Sequence, residues 1–157
     1  GSPAVLISVR KDVTLPKNGS PVEVSLKTGK VVSAGAGDLK FECWTDDTTV
    51  DAKRHYSWRC RISVPEGGLI QRTAKLDFEA PEGGYQPSIE INMPIMSEPW
   101  YPDFEGEYFV KLRDGSYARA VISVATGGDH FATITSFLNP TGSRNLEAGP
   151  DQMGNPR

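Results

Sequence analysis

Leu39-Lys40-Phe41-Glu42-Cys43-Trp44-Thr45 and Tyr56-Ser57-Trp58-Arg59-Cys60-Arg61-Ile62-Ser63-Val64 decide the fold. Successive side chains of a β-strand point to opposite faces. Leu39, Phe41 and Cys43 therefore share one face of the first run, and Tyr56, Trp58, Cys60, Ile62 and Val64 share one face of the second. Antiparallel pairing with Cys43 opposite Cys60 sets Phe41 against Ile62 and Leu39 against Val64 on the apolar side. On the other side Glu42 meets Arg61 and Trp44 meets Arg59. Opposite charges and aromatic–cation pairs suit cross-strand neighbours, and a slip of one residue would send each apolar residue to the wrong face. The register predicts a Cys43–Cys60 disulfide closing a short loop.

The composition agrees with a soluble, turn-rich fold. The chain has 157 residues, 38% hydrophobic and 24% charged, with 16 Gly and 12 Pro. That length predicts one domain with its own core. The net charge of −3 offers no basic field for nucleic acid, so no nucleic-acid partner is expected. No apolar run is long enough for a membrane span. Gly1-Ser2 reads as a cloning scar, with residues 1–4 a disordered start, so a missing leader says nothing about export. A disulfide would favour an extracellular, cell-surface or periplasmic location.

Alternating segments recur along the chain and no helical period does. Strands are expected at Val5–Val9, Pro21–Leu26 and Val31-Val32, and then at the two cysteine runs. Leu69–Glu79 alternates next, with Ala74, Leu76 and Phe78 inward and Lys75, Asp77 and Glu79 outward. Ile89, Ile91, Met93 and Ile95 mark another strand. Glu107–Arg113 and Ser116–Val124 flank the hairpin signal Asp114-Gly115, and Phe131–Leu138 closes the series. About nine strands predict an all-β antiparallel sandwich, immunoglobulin-like or, as the alternative, a jelly roll, over residues 5–138. Pro65-Glu66-Gly67-Gly68 and Pro81-Glu82-Gly83-Gly84 read as two similar turns. Residues 139–157, rich in Pro, Gly and Asn with Leu146 as one isolated apolar residue, read as a loose tail or linker.

Motifs of known chemistry are sparse. There is no GxSxG, HExxH, phosphate-binding loop or GxGxxG, and His55 and His130 lack partners at metal-ligand spacing, so neither metal nor cofactor is expected. Asp46, Asp47 and Asp51 fit a solvated acidic turn better than a calcium loop. Asn18-Gly19-Ser20 fits an N-glycosylation triplet. Glu98, Asp103, Glu105 and Glu107 lie near Trp100, Tyr101 and Phe104. Paired carboxylates beside aromatics can hydrolyse glycosides, but aromatics capping the sandwich are the simpler reading.

The outward face of the cysteine hairpin carries Trp44, Arg59 and Arg61. A large aromatic among cations on a solvated sheet can stack on sugar and pair with acidic groups. The competing reading is a structural Trp44–Arg59 pair, or a Trp44 covered by another element. Trp100 and Tyr101 form a second candidate patch. The architecture resembles the immunoglobulin-like sandwiches of exported multidomain proteins, although Cys43 and Cys60 are too close in sequence for the usual bridge between sheets. The expected function is a non-catalytic binding module of an exported protein, contacting carbohydrate. The alternatives are a spacer contacting a neighbouring domain or protein, and, less favoured, a carbohydrate-active enzyme.

Overall fold

The computed structural model describes residues 5–46, 48, 50–74 and 77–148. Among these residues there are ten strands, all antiparallel, and no helix. They run in chain order as β1 (Ile7–Thr14), β2 (Val22–Val24), β3 (Val31–Val32), β4 (Leu39–Asp46), β5 (Ser57–Ser63), β6 (Gly68–Gln71), β7 (Ser88–Met93), β8 (Asp103–Lys111), β9 (Tyr117–Ala125) and β10 (Phe131–Asn139). Sheet I has the order β1-β10-β9-β8-β6, and sheet II the order β3-β2-β4-β5-β7. Their inner faces share one core, in which Val24, Leu39, Phe41 and Ile62 of sheet II meet Val110, Ile122, Ile134 and Leu138 of sheet I. The protein is therefore a β-sandwich.

The cysteine hairpin forms in the expected register. Phe41 pairs with Ile62, Glu42 with Arg61, Cys43 with Cys60 and Trp44 with Arg59. The Cys43–Cys60 disulfide is present, with Cα atoms 4.2 Å apart, the spacing of directly opposed residues in a non-hydrogen-bonded pair. β7 extends the ladder on the far side of β5, setting Ile91 opposite Cys60, Glu90 opposite Arg61 and Asn92 opposite Arg59.

β1 begins later than the apolar run Val5–Val9 suggested and continues through Arg10, Lys11 and Asp12. Its core-facing positions are Ile7, Val9, Lys11 and Val13. Lys11, half-buried on this edge strand, is a charge that discourages pairing with another chain.

The expected strand Leu69–Glu79 is shortened to β6. Lys75 and Leu76 lie outside the described residues. The chain leaves β8 after Arg72, whose amide still bonds to the Glu107 carbonyl. Phe78 then sits against two arginines, with the Arg72 and Arg119 guanidinium carbons each 5.1 Å from its ring centre. Burial, with Arg72 beside it, pushes Arg119 down to about 10, so it stays charged at neutral pH. Its Nε donates to the Leu146 carbonyl at 2.9 Å.

That bond belongs to a larger departure from the sequence reading. Residues 139–148 are not a loose tail. The amides of Ala80 and Leu146 donate to the carbonyls of Arg144 and Phe78, and Leu146 is fully buried. Leu146, Ala80, Phe109 and Tyr117 make a second apolar cluster on the outer face of sheet I. The packed part of the chain thus runs ten residues past Leu138, to Ala148.

The two Pro-Glu-Gly-Gly turns differ. In the first, Glu66 itself takes the left-handed conformation (φ 59°); in the second, Gly84 does (φ 94°). Gly67 is required by contact instead, since a Cβ there would lie 2.1 Å from the Lys111 carbonyl oxygen.

Turns at one end of the sandwich tie the sheets together. Lys27, after β2, bonds to Asp114 in the β8–β9 turn at 2.6 Å. Arg113 donates to the carbonyls of Gly35 and Gly37. The Lys27 ammonium, with Ser116 adding two further donors, holds the Asp114 carboxyl well below the usual carboxylate range. Its contribution to stability is present above the ordinary aspartate pKa of ~4 and is lost as pH falls through the lowered value.

Three measurements test this account. Cys43→Ala with Cys60→Ala, or reduction, should lower the unfolding free energy by about 3 kcal/mol, the chain-entropy value for a loop near 15 residues. An unchanged urea midpoint would contradict it. Leu146→Ala should cost about 2–5 kcal/mol, as a buried leucine does, whereas a leucine in a loose tail would cost nothing. Lys27→Met should move the Asp114 carboxyl titration, followed by NMR, upward toward ~4.

Candidate functional site

The outer faces of the two sheets are unlike. Sheet I is partly covered by the second apolar cluster. On sheet II, the β2–β3 region is covered by the loop at residues 33–38. Glu23 is buried there and accepts bonds from the Gly35 and Gly37 amides, both at 2.9 Å. The outer face of β4, β5 and β7 is left open. Trp44, Arg59, Arg61, Glu90 and Asn92 converge on it around a groove of about 130 Å³, floored by β5 and β7 at Cys60 and Ile91.

Trp44 is half-buried. Lys17, Asn18 and Gly19 continue along β4, with the Gly19 amide bonded to the Cys43 carbonyl and the Thr45 amide to the Lys17 carbonyl. Gly19 has φ 85°, and a Cβ on it would lie 2.0 Å from the Trp44 Nε1. The indole edge therefore rests on bare backbone. The Arg59 guanidinium carbon lies 3.9 Å above the ring centre and that of Arg61 5.8 Å from it. The structural pairing of Trp44 with Arg59 is thus real, and it is also exposed, because Arg59 is on the surface.

The two arginines differ electrostatically. Arg61 donates to Glu90 at 2.9 Å and lies 3.8 Å from Glu42, so its charge is matched. Arg59 has no carboxylate partner among the described residues; its guanidinium lies over the Trp44 ring. Asn92, its cross-strand neighbour, is exposed.

The three tryptophans divide in the same way. Trp58 Nε1 donates to the Tyr101 carbonyl at 2.9 Å and Trp100 Nε1 to the Tyr56 carbonyl at 2.8 Å. Trp44 Nε1 has no protein acceptor among the described residues, and it is not sealed from solvent. An indole N–H is a donor only, and it finds a partner when buried.

The Trp100–Tyr101 patch is built differently. Trp100 stacks on His55 with ring centres 4.4 Å apart and meets Tyr56 edge-on at 5.0 Å. It packs against the core, as a capping aromatic does. Tyr101 is 54% exposed, but its carbonyl is taken by Trp58. Beside Trp100 is a cleft of about 290 Å³ whose lining includes Asp51, His55, Met96, Ser97 and Glu98. Asp51 accepts from the Lys53 and His55 amides, and its other carboxylate oxygen lies 3.6 Å from His55 Nδ1. Asp46 accepts from Thr48, so both described aspartates of the acidic turn serve their own loop; Asp47 lies outside the described residues. Glu105 and Glu107 project from the outer face of β8 and do not line the cleft with Glu98. The sequence missed Glu90 and Asn92. Both alternate outward with the recognised apolar residues Ile89, Ile91 and Met93, and only the β5–β7 pairing brings them to Arg61 and Arg59.

No helix among the described residues is long and apolar enough to cross a membrane. No protein-family model, curated protein or solved structure matches the chain.

Proposed function

We propose that the protein is a non-catalytic binding module whose ligand is carbohydrate, held on the open face of β4, β5 and β7. One observation carries this reading. A tryptophan stands in a groove with two arginines, a carboxylate and an amide, on an otherwise open sheet face. Sugar sites combine these parts, with polar and charged side chains for ring hydroxyls and acidic substituents beside an aromatic. The groove is smaller than the ~300 Å³ at which enclosing ligand clefts begin, so a chain lying across the sheet suits it better than an engulfed small molecule. The disulfide favours an oxidising location, extracellular, cell-surface or periplasmic.

A spacer or protein-contact domain is the second reading. The half-buried state of Trp44 and its contact with Arg59 favour it, because such a pair also serves structure alone. A carbohydrate-active enzyme has less support, as the carboxylates near Trp100 divide between a cleft and a separate sheet face.

The test is a screen of the oxidised protein against neutral, uronic and sulfated glycans, with Trp44→Ala, Asn92→Ala and Tyr101→Ala in parallel. Binding that is lost in Trp44→Ala, weakened in Asn92→Ala and retained in Tyr101→Ala is expected. Asn92 is exposed, so its substitution leaves the fold intact and guards against a Trp44 variant that merely unfolds. Absence of binding across the panel by folded protein would sink this reading in favour of the spacer.

A further inference from the structure

Resting on the binding-module reading, we infer that the groove selects acidic polysaccharides, with Arg59 as the residue that takes the ligand's anionic group. The argument begins with what a sugar would meet. The ring face of Trp44 is not bare, because the Arg59 guanidinium lies over its centre at 3.9 Å. A neutral sugar seeking that apolar face would have to displace the cation. An anionic sugar meets it directly.

The pairing around the groove singles out the same residue. Arg61 is matched by Glu90 and Glu42. Glu90 is thereby engaged, which reduces its repulsion of an incoming anion. Among the described residues no carboxylate pairs with Arg59, which leaves its guanidinium for a ligand, and the indole beneath it restricts the side chain. A planar guanidinium bonds a carboxylate or sulfate through two parallel N–H donors, and prior stacking lowers the entropy lost on doing so. Asn92, directly across the ladder, supplies both a donor and an acceptor for a neighbouring hydroxyl. The groove holds about 130 Å³, room for an anionic group and the edge of its ring, with the rest of the chain outside.

The carboxylate and sulfate versions share this chemistry, and four polymers separate them. Polygalacturonate and dextran sulfate carry the anions; methyl-esterified polygalacturonate and dextran are their uncharged counterparts. Binding is measured by calorimetry or affinity electrophoresis on the oxidised protein, at low and at ~0.15 M salt. At least one polyanion should bind while its uncharged counterpart binds at least about tenfold more weakly, the worth of one charge-assisted pair. Arg59→Gln should weaken the polyanion by a similar factor, Arg59→Lys should recover part of it, and added salt should weaken it further. Which polyanion binds identifies the anionic group. Arg59 is exposed, so these variants fold, and an unchanged unfolding midpoint verifies that.

Equal binding of charged and uncharged polymers, insensitive to Arg59→Gln, would overturn the selectivity and leave the carbohydrate module standing. Binding of the neutral members of the broader panel alone would do the same. Polyglutamate binding as tightly as the polyanions would overturn it in favour of an acidic polypeptide. Failure of every glycan would remove both readings.

Discussion

The pairing of β4 with β5 through Cys43 and Cys60 is the constraint on which the rest depends. A strand's side chains alternate with a period of two, so one fixed pair fixes the parity of every other pair in the ladder. With the cysteines opposed on the inner face, Phe41 and Ile62 must enter the core, and Glu42, Trp44, Arg59 and Arg61 must leave it. β7 inherits that parity. Ile89, Ile91 and Met93 pack toward the core, and Glu90 and Asn92 fall beside the arginines. The groove is therefore a consequence of the same register that builds the core. A slip of one residue would place charged groups in the interior and also dismantle the surface on which function is proposed.

How much of this was legible followed from the range of the interactions. The cysteine hairpin was readable because its partners are close in sequence and alternate strictly. The segment after β6 misled because alternation states only which residues could share a face. It does not say whether a neighbouring strand is there to pair. Here the chain turns away to lay Phe78 against two guanidiniums and to pair Glu79 with Asn145. Leu146 was unreadable for the complementary reason. A single apolar residue has no period, and its partners Ala80, Phe109 and Tyr117 come from distant parts of the chain.

The candidate site shows the same limit from another side. Trp44, Arg59 and Arg61 were visible because they oppose one another within one hairpin. Glu90 and Asn92 need the β5–β7 pairing, which spans a longer connection. Trp100 and Trp44 looked alike in sequence, each an aromatic among polar residues. They differ in what their indole edges meet: Trp100 donates to the Tyr56 carbonyl and lies against His55 and Tyr56, whereas Trp44 lies against Gly19 and finds no acceptor among the described residues. Composition and spacing carry no information on that difference, because it depends on which distant backbone each ring meets, Tyr56 for Trp100 and Gly19 for Trp44.

Charge sets the terms on which such a groove can work. The chain as a whole carries −3, so its long-range field repels a polyanion. Attraction must then come from contact at the exposed Arg59, which salt weakens but does not abolish, and not from long-range steering. A lone surface arginine is a poor instrument for that purpose, since ordering its flexible side chain costs much of what an exposed ion pair returns. Stacking on Trp44 changes the balance by restricting Arg59 before any ligand arrives. Trp44 is in turn held by Gly19, whose missing side chain lets the indole lie against backbone. The arginine depends on the tryptophan, the tryptophan on the glycine and on its place in the ladder, and that place on the opposed cysteines. Selectivity for an acidic ligand, on this view, is a short-range property of one cross-strand pair in a protein whose overall charge opposes it.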